Sequence, residues 1–214
     1  MGKRLVCLGD SITEGIGDAK SIGWPGRLQT NLSESKGLGV WSVLNLGVAG
    51  DTSIDIKHRL LSEVLYREPE RLIIAAGVND TAHRLWPDDG GVKIALNHAR
   101  TIWMDMFQIL NGLGIKTAVV SLLPVDEKKL PLAYMPFDEN DHGNSFLNSE
   151  IYVYNQYVRE ITESQGGVWL NVAQKWEGRP LDKLLFDGLH PNADGYDLLA
   201  IDIMQELSAQ KFMD

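Results

Sequence analysis

Arg4-Leu5-Val6-Cys7-Leu8 followed at once by Gly9-Asp10-Ser11 is a short apolar run closed by a polar turn, the pattern of a buried strand ending in a tight loop. Four more such runs follow, at Val40 to Leu46, Arg71 to Ala76, Ile115 to Leu122 and Val168 to Val172. Between them lie stretches of helical period: Trp24 to Glu34, with Pro25 suited to a first turn, Ile54 to Tyr66, Val92 to Leu113 and Leu147 to Ser164. A last helix is expected from about Ala193 to Leu207. This alternation predicts an α/β fold with a mainly parallel sheet. No internal repeat, low-complexity tract or interdomain linker interrupts it.

With 214 residues, 44% of them hydrophobic and 23% charged, the chain can bury one substantial core, and a single domain over residues 1–214 is expected. The formal charge of -9 repels phosphate backbones and anionic lipid surfaces, and no basic cluster offsets it. Nucleic acid and stable membrane association are therefore not expected. Met1-Gly2-Lys3-Arg4 leads into an apolar stretch too short for a signal-peptide core or a membrane span, which makes cytoplasmic residence the expectation. Val6 stands where a myristoylation signal needs Ser or Thr. Cys7, the single cysteine, lies in an apolar run and reads as a small core residue. Oligomeric state is not readable.

The stretch from Leu123 to Leu147 breaks the rhythm with Pro124, Pro131 and Pro136, an acidic cluster, and Leu132, Tyr134, Met135 and Phe137. It is long for a connection between elements. Because it follows the fourth strand, it should lie at the carboxyl edge of the sheet, where open α/β folds bind ligands. It reads as a lid or acyl-contacting loop, or alternatively as a disordered or oligomer-contacting one.

Two motifs carry chemistry. Ser11 closes the first strand, and Asp187-Gly188-Leu189-His190-Pro191 stands near the far end of the chain. A serine hydroxyl is a poor nucleophile at neutral pH; it needs a base to accept its proton and an acid to fix the base's tautomer. Ser11, His190 and Asp187 supply all three. The Asp-x-x-His spacing decides nothing alone, because Asp55 with His58 and Asp80 with His83 share it. The first of these falls inside an expected helix and reads as a solvated face. The second follows the third strand and is a genuine rival for Ser11. Pro191 pushes His190 out of the helical region, into an extended turn from which it can project into a site.

Gly9-Asp10-Ser11-Ile12-Thr13-Glu14-Gly15, Gly50 within Ala49-Gly50-Asp51-Thr52-Ser53, Gly77-Val78-Asn79-Asp80 and Asp187-Gly188-Leu189-His190-Pro191 together resemble the four ordered sequence blocks of the SGNH hydrolase, or GDSL esterase and lipase, superfamily. Ile12 replaces the family's usual leucine, a volume-conserving swap. The resemblance spans nearly the whole chain. It implies one three-layer domain with a five-stranded parallel sheet of flavodoxin-like order 2-1-3-4-5 and helices on both faces. In that order the crevice lies between strands 1 and 3, so that Ser11 and Asn79 open onto it together. The resemblance also implies Ser11, Asp187 and His190 as the triad, and Gly50 and Asn79 with the Ser11 amide as oxyanion donors. At Gly50 the bare turn offers a second reading, a helix start capped by Asp51 or Thr52, and the two are compatible.

These residues together predict serine-dependent hydrolysis of carboxylic esters through an acyl-enzyme, acting on a small soluble substrate and with no cofactor or metal. A short-acyl or acetyl ester is favoured, with lysophospholipase and acyl thioesterase activity as alternatives. Asp10, Trp86, Tyr134 and Phe137 are candidate substrate contacts, although the aromatics read equally as packing residues. Trp24, Trp41, Trp103 and Trp169 read as core. Two readings from other classes stand beside this one. Asp10 and Asp80 could chelate Mg2+ for phosphoryl transfer, but the chain has no phosphate-cradling glycine loop. A catalytically silent binding module is the other. A general α/β-hydrolase elbow is disfavoured because Thr13 occupies its last glycine position.

Overall fold

The computed structural model describes residues 2–84, 91–131 and 143–214. Its main sheet has five parallel strands: β1 (Lys3–Gly9), β2 (Trp41–Gly47), β3 (Arg71–Ala75), β5 (Lys116–Val120) and β7 (Val168–Leu170). They lie in the order β2-β1-β3-β5-β7, which is the expected 2-1-3-4-5 when sheet strands alone are counted. A separate antiparallel pair joins β4 (His83–Arg84) to β6 (Asn144–Ser145), the far end of the long excursion. Residues 132–142 of that excursion lie outside the described residues.

Side chains of a strand alternate between its faces, and the chain uses both. Val6 and Leu8 of β1, with Leu72 and Ile74 of β3, join a core built with α3 (Ser53–Arg59), α4 (Leu96–Gly112) and α5 (Asn148–Ser164). Leu5, Cys7 and Ile73 point the other way, into a core with α2 (Gly23–Lys36) and α8 (Ala193–Ala209). Cys7 is a buried free thiol, and Trp24, Trp41, Trp103 and Trp169 are all core residues. Three short helices, α1 (Ser11–Glu14), α6 (Val172–Trp176) and α7 (Leu181–Leu184), were not expected from periodicity because each is too short to show one.

Several boundaries differ from expectation, and side chains from elsewhere explain them. The run Ile115 to Leu122 stops as a strand at Val120, because the Asn155 side-chain amide takes both backbone groups of Leu122 at 2.8 and 3.0 Å. Val172 opens α6 instead of ending a strand; the next amide, of Ala173, donates to Ser121 Oγ at 2.7 Å. Helix α4 starts at Leu96 and not Val92. The amides of Lys93 and Ile94 donate instead to the carbonyls of Ala82 and Asp80, which makes 92–94 an extended neighbour of β4. Helix α3 widens into a π turn at Leu60–Val64 and tightens over Leu65–Arg67 before Glu68 turns left-handed.

Candidate active site

Ser11 is the first residue of α1, placed directly at the carboxyl end of β1 in the crevice beside β3. Asp10 fixes that start by accepting the Ile12 amide on Oδ1 at 3.0 Å. From the far end of the chain, the 185–191 loop folds back by pairing Leu185 with Pro191 and Phe186 N–H with the His190 carbonyl at 2.7 Å. His190 Nε2 then stands 2.8 Å from Ser11 Oγ, and His190 Nδ1 stands 2.7 Å from Asp187 Oδ2. The other oxygen of Asp187 accepts the backbone amides of Leu189 and His190 at 2.9 and 2.8 Å. The carboxylate is therefore held by its own loop while it orients the imidazole. Asp126, at the near end of the long excursion, donates its amide to the Gly188 carbonyl at 2.8 Å and pins the loop from outside.

The two competing Asp-x-x-His pairs go elsewhere. His83 Nε2 meets Glu150 Oε2 at 2.5 Å, a side-chain contact between β4 and α5. Asp55 completes the capping box of α3 with Thr52, and His58 is exposed. The capped-helix reading of the Gly50 turn is thus realised, through Thr52. Gly50 itself is exposed at φ 85°, in the left-handed region that glycine tolerates. Its neighbour Asp51 offers its carbonyl to Asn79 Nδ2 at 2.9 Å, so the turn after β2 and the turn after β3 are bonded to each other across the crevice. A side-chain amide carries two N–H groups, and this bond uses one of them.

Several residues that hold the site carry no local sequence signal. Arg59 of α3 pairs with Asp51 at 2.7 Å and donates to the carbonyls of Gly9 and Leu46 at 3.1 and 3.0 Å, tying the ends of β1 and β2 to the Gly50 turn. Asp18, whose side chain is fully buried, receives two hydrogen bonds from Arg27 at 2.6 and 3.1 Å, and Arg27 also pairs with Asp197 of α8. Burial alone would raise the Asp18 carboxyl. The Arg27 guanidinium and the amides of Lys20, Ile22 and Gly23 outweigh it and hold the group well below the usual carboxylate range. This cluster braces the loop carrying Gly17. A Cβ at Gly17 would lie 2.8 Å from the Pro191 carbonyl, 3.2 Å from Phe186 Cβ and 3.5 Å from His190 Cβ, so the loop backbone is seated against the histidine turn.

Asp10 is 2% exposed with its carboxylate turned to the α1 backbone. Burial pushes that carboxyl up to about 7, against the Ile12 amide and the nearby His190. Asp80 is fully buried, and both its oxygens accept from protein donors, Ser53 N–H at 2.8 Å and Tyr154 Oη at 2.7 Å. Among the described residues no group of three or more His, Cys, Asp and Glu side chains is arranged to hold a metal. The remaining candidate contacts, Trp86, Tyr134 and Phe137, lie outside the described residues.

The model of the GDSL-like lipase/acylhydrolase family matches residues 7–198. The chain belongs to that family. Membership makes it an ester-hydrolysing enzyme with the α/β fold described above. Among its relatives is an acetylxylan esterase from Geobacillus stearothermophilus, 23% identical over 96% of this chain and 94% of the relative. An acetylxylan esterase from Xylanibacter ruminicola is 26% identical over 92% of this chain and 41% of the relative. A Bacillus subtilis relative, named as an uncharacterized lipoprotein, is 25% identical over 80% of this chain. The fold is that of a lipase/acylhydrolase from Enterococcus faecalis, with a TM-score of 0.74 at 24% identity over 97% of this chain and 96% of that one. Among the described residues no helix is long and apolar enough to cross a membrane.

Proposed function

We propose that this GDSL-family chain hydrolyses short-acyl esters, above all acetyl esters of soluble alcohols, through an acyl-enzyme on Ser11. The observation that carries the reading is the unbroken chain Ser11 Oγ, His190 Nε2, His190 Nδ1 and Asp187 Oδ2, with steps of 2.8 and 2.7 Å. As Ser11 Oγ bonds to the ester carbonyl carbon, its proton passes to His190 Nε2, and Asp187 stabilises the imidazolium. The negative charge on the former carbonyl oxygen is met by the amides of Ser11 and Gly50 and by the Asn79 side chain. His190 then gives its proton to the leaving alcohol as the C–O bond breaks. Water, deprotonated by the same histidine, releases the acid and restores Ser11.

The two acetylxylan esterases among the relatives support an acetyl group on a sugar. Phe186 favours the same class. The residue is 63% exposed, it is bonded through its backbone to His190, and His190 marks the side on which the alcohol must leave. An exposed aromatic face there suits the apolar face of a pyranose.

The test is a series of p-nitrophenyl esters from acetyl to palmitoyl together with acetylated xylo-oligosaccharides, with Ser11→Ala as the blank. The expected result is a Ser11-dependent rate that is highest at acetyl. Phe186→Ala should raise KM on the sugar ester and leave p-nitrophenyl acetate unchanged. A maximum at long chains would replace the reading with a lysophospholipase or thioesterase type of substrate. Rates equal to the blank on every ester would leave a binding role in its place.

A further inference from the structure

Two of the three proposed oxyanion donors, Gly50 and Asn79, come from separate turns, and two hydrogen bonds running in opposite directions join those turns. Asn79 Nδ2 donates to the Asp51 carbonyl at 2.9 Å, and Ser53 N–H donates back to Asp80 Oδ1 at 2.8 Å. The second bond is anchored from behind. Asp80 Oδ2 accepts from Tyr154 Oη of α5 at 2.7 Å, and that oxygen accepts from Trp103 Nε1 of α4 at 2.8 Å. All three side chains are buried. The Tyr154 ring also abuts the turn that carries Asn79: a Cβ at Gly77, where φ is 118°, would lie 2.5 Å from Tyr154 Cε1. One tyrosine therefore touches the backbone before Asn79 and bonds the carboxylate after it.

Packing alone does not call for such a chain, because a buried carboxylate is costly beside apolar residues of similar volume. Burial raises the Asp80 carboxyl, and the Ser53 and Tyr154 donors only partly oppose it. The Ser53 hydroxyl lies beside the same carboxylate, though its geometry falls short of a hydrogen bond. Burial and the Asp80 charge raise the Tyr154 hydroxyl well above its usual range, so it keeps its proton and remains the donor.

We infer that Asp80, held by Tyr154 and Trp103, is a positioning residue for acyl transfer that fixes the distance between the Gly50–Asp51 turn and Asn79. The inference rests on the reading of Asn79 as an oxyanion donor. Such donors act only within about 2.7–3.1 Å of the developing charge, and a misplacement of about 1 Å can cost on the order of a hundredfold in rate. Tyr154→Phe keeps the ring on Gly77 and deletes only the hydroxyl. It should lower kcat about tenfold with KM nearly unchanged, as a partial loosening of that geometry.

The experiment is a double-mutant cycle of Tyr154→Phe with Asn79→Ala on p-nitrophenyl acetate, read above the Ser11→Ala blank and on proteins whose thermal unfolding remains cooperative. The expected result is a tenfold loss of kcat in the parent and no further loss once Asn79 is alanine. An equal loss in both backgrounds, or none in the parent, would overturn the inference while leaving the Asn79 reading intact. Near-normal kcat in Asn79→Ala alone would remove that reading and this inference with it. Asp80→Asn keeps the volume and an acceptor for Ser53 but loses the acceptor for Tyr154. It provides a second arm and should show the same dependence on Asn79.

Discussion

Replacing Arg27 with methionine separates the brace from the chemistry. The Arg27 side chain is 8% exposed, and its guanidinium makes two bonds to Asp18 and donates to the carbonyls of Gly23 and Ala193. Methionine fills much of the volume but leaves the fully buried Asp18 with only the amides of Lys20, Ile22 and Gly23. Removing one partner of a buried pair costs about 3–5 kcal/mol. In a chain of this size each kcal/mol lowers Tm by about 2–4 °C, so a fall of roughly 6–20 °C is expected at pH 7. The pH dependence has a definite sign. The folded-state pKa of Asp18 is depressed, so its contribution is present above the ordinary carboxylate value of 3.8 and is lost as pH falls below it. The Tm gap between parent and variant, followed by circular dichroism, should therefore shrink below about pH 4. A Tm within about 2 °C of the parent at pH 7, or a gap that does not change with pH, would mean that Arg27 does not stabilise the buried Asp18 carboxylate.

Three other outcomes follow from the geometry. Asn79→Ala should lower kcat on p-nitrophenyl acetate about 100- to 1,000-fold, and a near-normal kcat would remove it from the oxyanion site. His190→Ala should cost at least roughly 10,000-fold in kcat while His83→Ala, which only breaks the Glu150 pair, retains turnover; the reverse pattern would exchange the two histidines. Asp10→Asn keeps the acceptor for the Ile12 amide. Because the parent's carboxyl is raised to about 7, the stability its proton confers is present below about pH 4 and lost as pH rises through 7. Urea unfolding should show the variant gaining on the parent between pH 5 and pH 8, and a change in the opposite direction would contradict the buried, proton-binding Asp10.

The strands were legible as short apolar runs, clearest in β1, β3 and β5, which are buried over most of their length, and weaker in the edge strand β2, where only Trp41 is buried. Their ends were not. Leu122 and Val172 continue the apolar pattern, and what stops the strands there is Asn155 and Ser121 reaching in from other elements. Sheet order came from the resemblance, since periodicity carries no information about neighbours. Within the site, the choice of Ser11, Asp187 and His190 came from the family resemblance and from Pro191 after His190, since the Asp-x-x-His spacing recurs at Asp55 and Asp80. Arg27, Arg59, Trp103 and Tyr154 were not legible, because each acts through a partner on a different element. A trace existed for the last two. Trp103 was read as core, and a buried tryptophan N–H or tyrosine O–H needs a hydrogen-bond partner, which here is the relay to Asp80.

Whether Ser11 is the nucleophile is decided by covalent trapping. The protein would be incubated with a fluorophosphonate, the adduct located by peptide mass mapping, and p-nitrophenyl acetate hydrolysis followed in the same sample. One adduct is expected, on Ser11, forming in step with the loss of hydrolysis and absent from both Ser11→Ala and His190→Ala. Hydrolysis that persists in Ser11→Ala, or an adduct on another residue that accounts for the lost activity, would contradict Ser11 as the nucleophile.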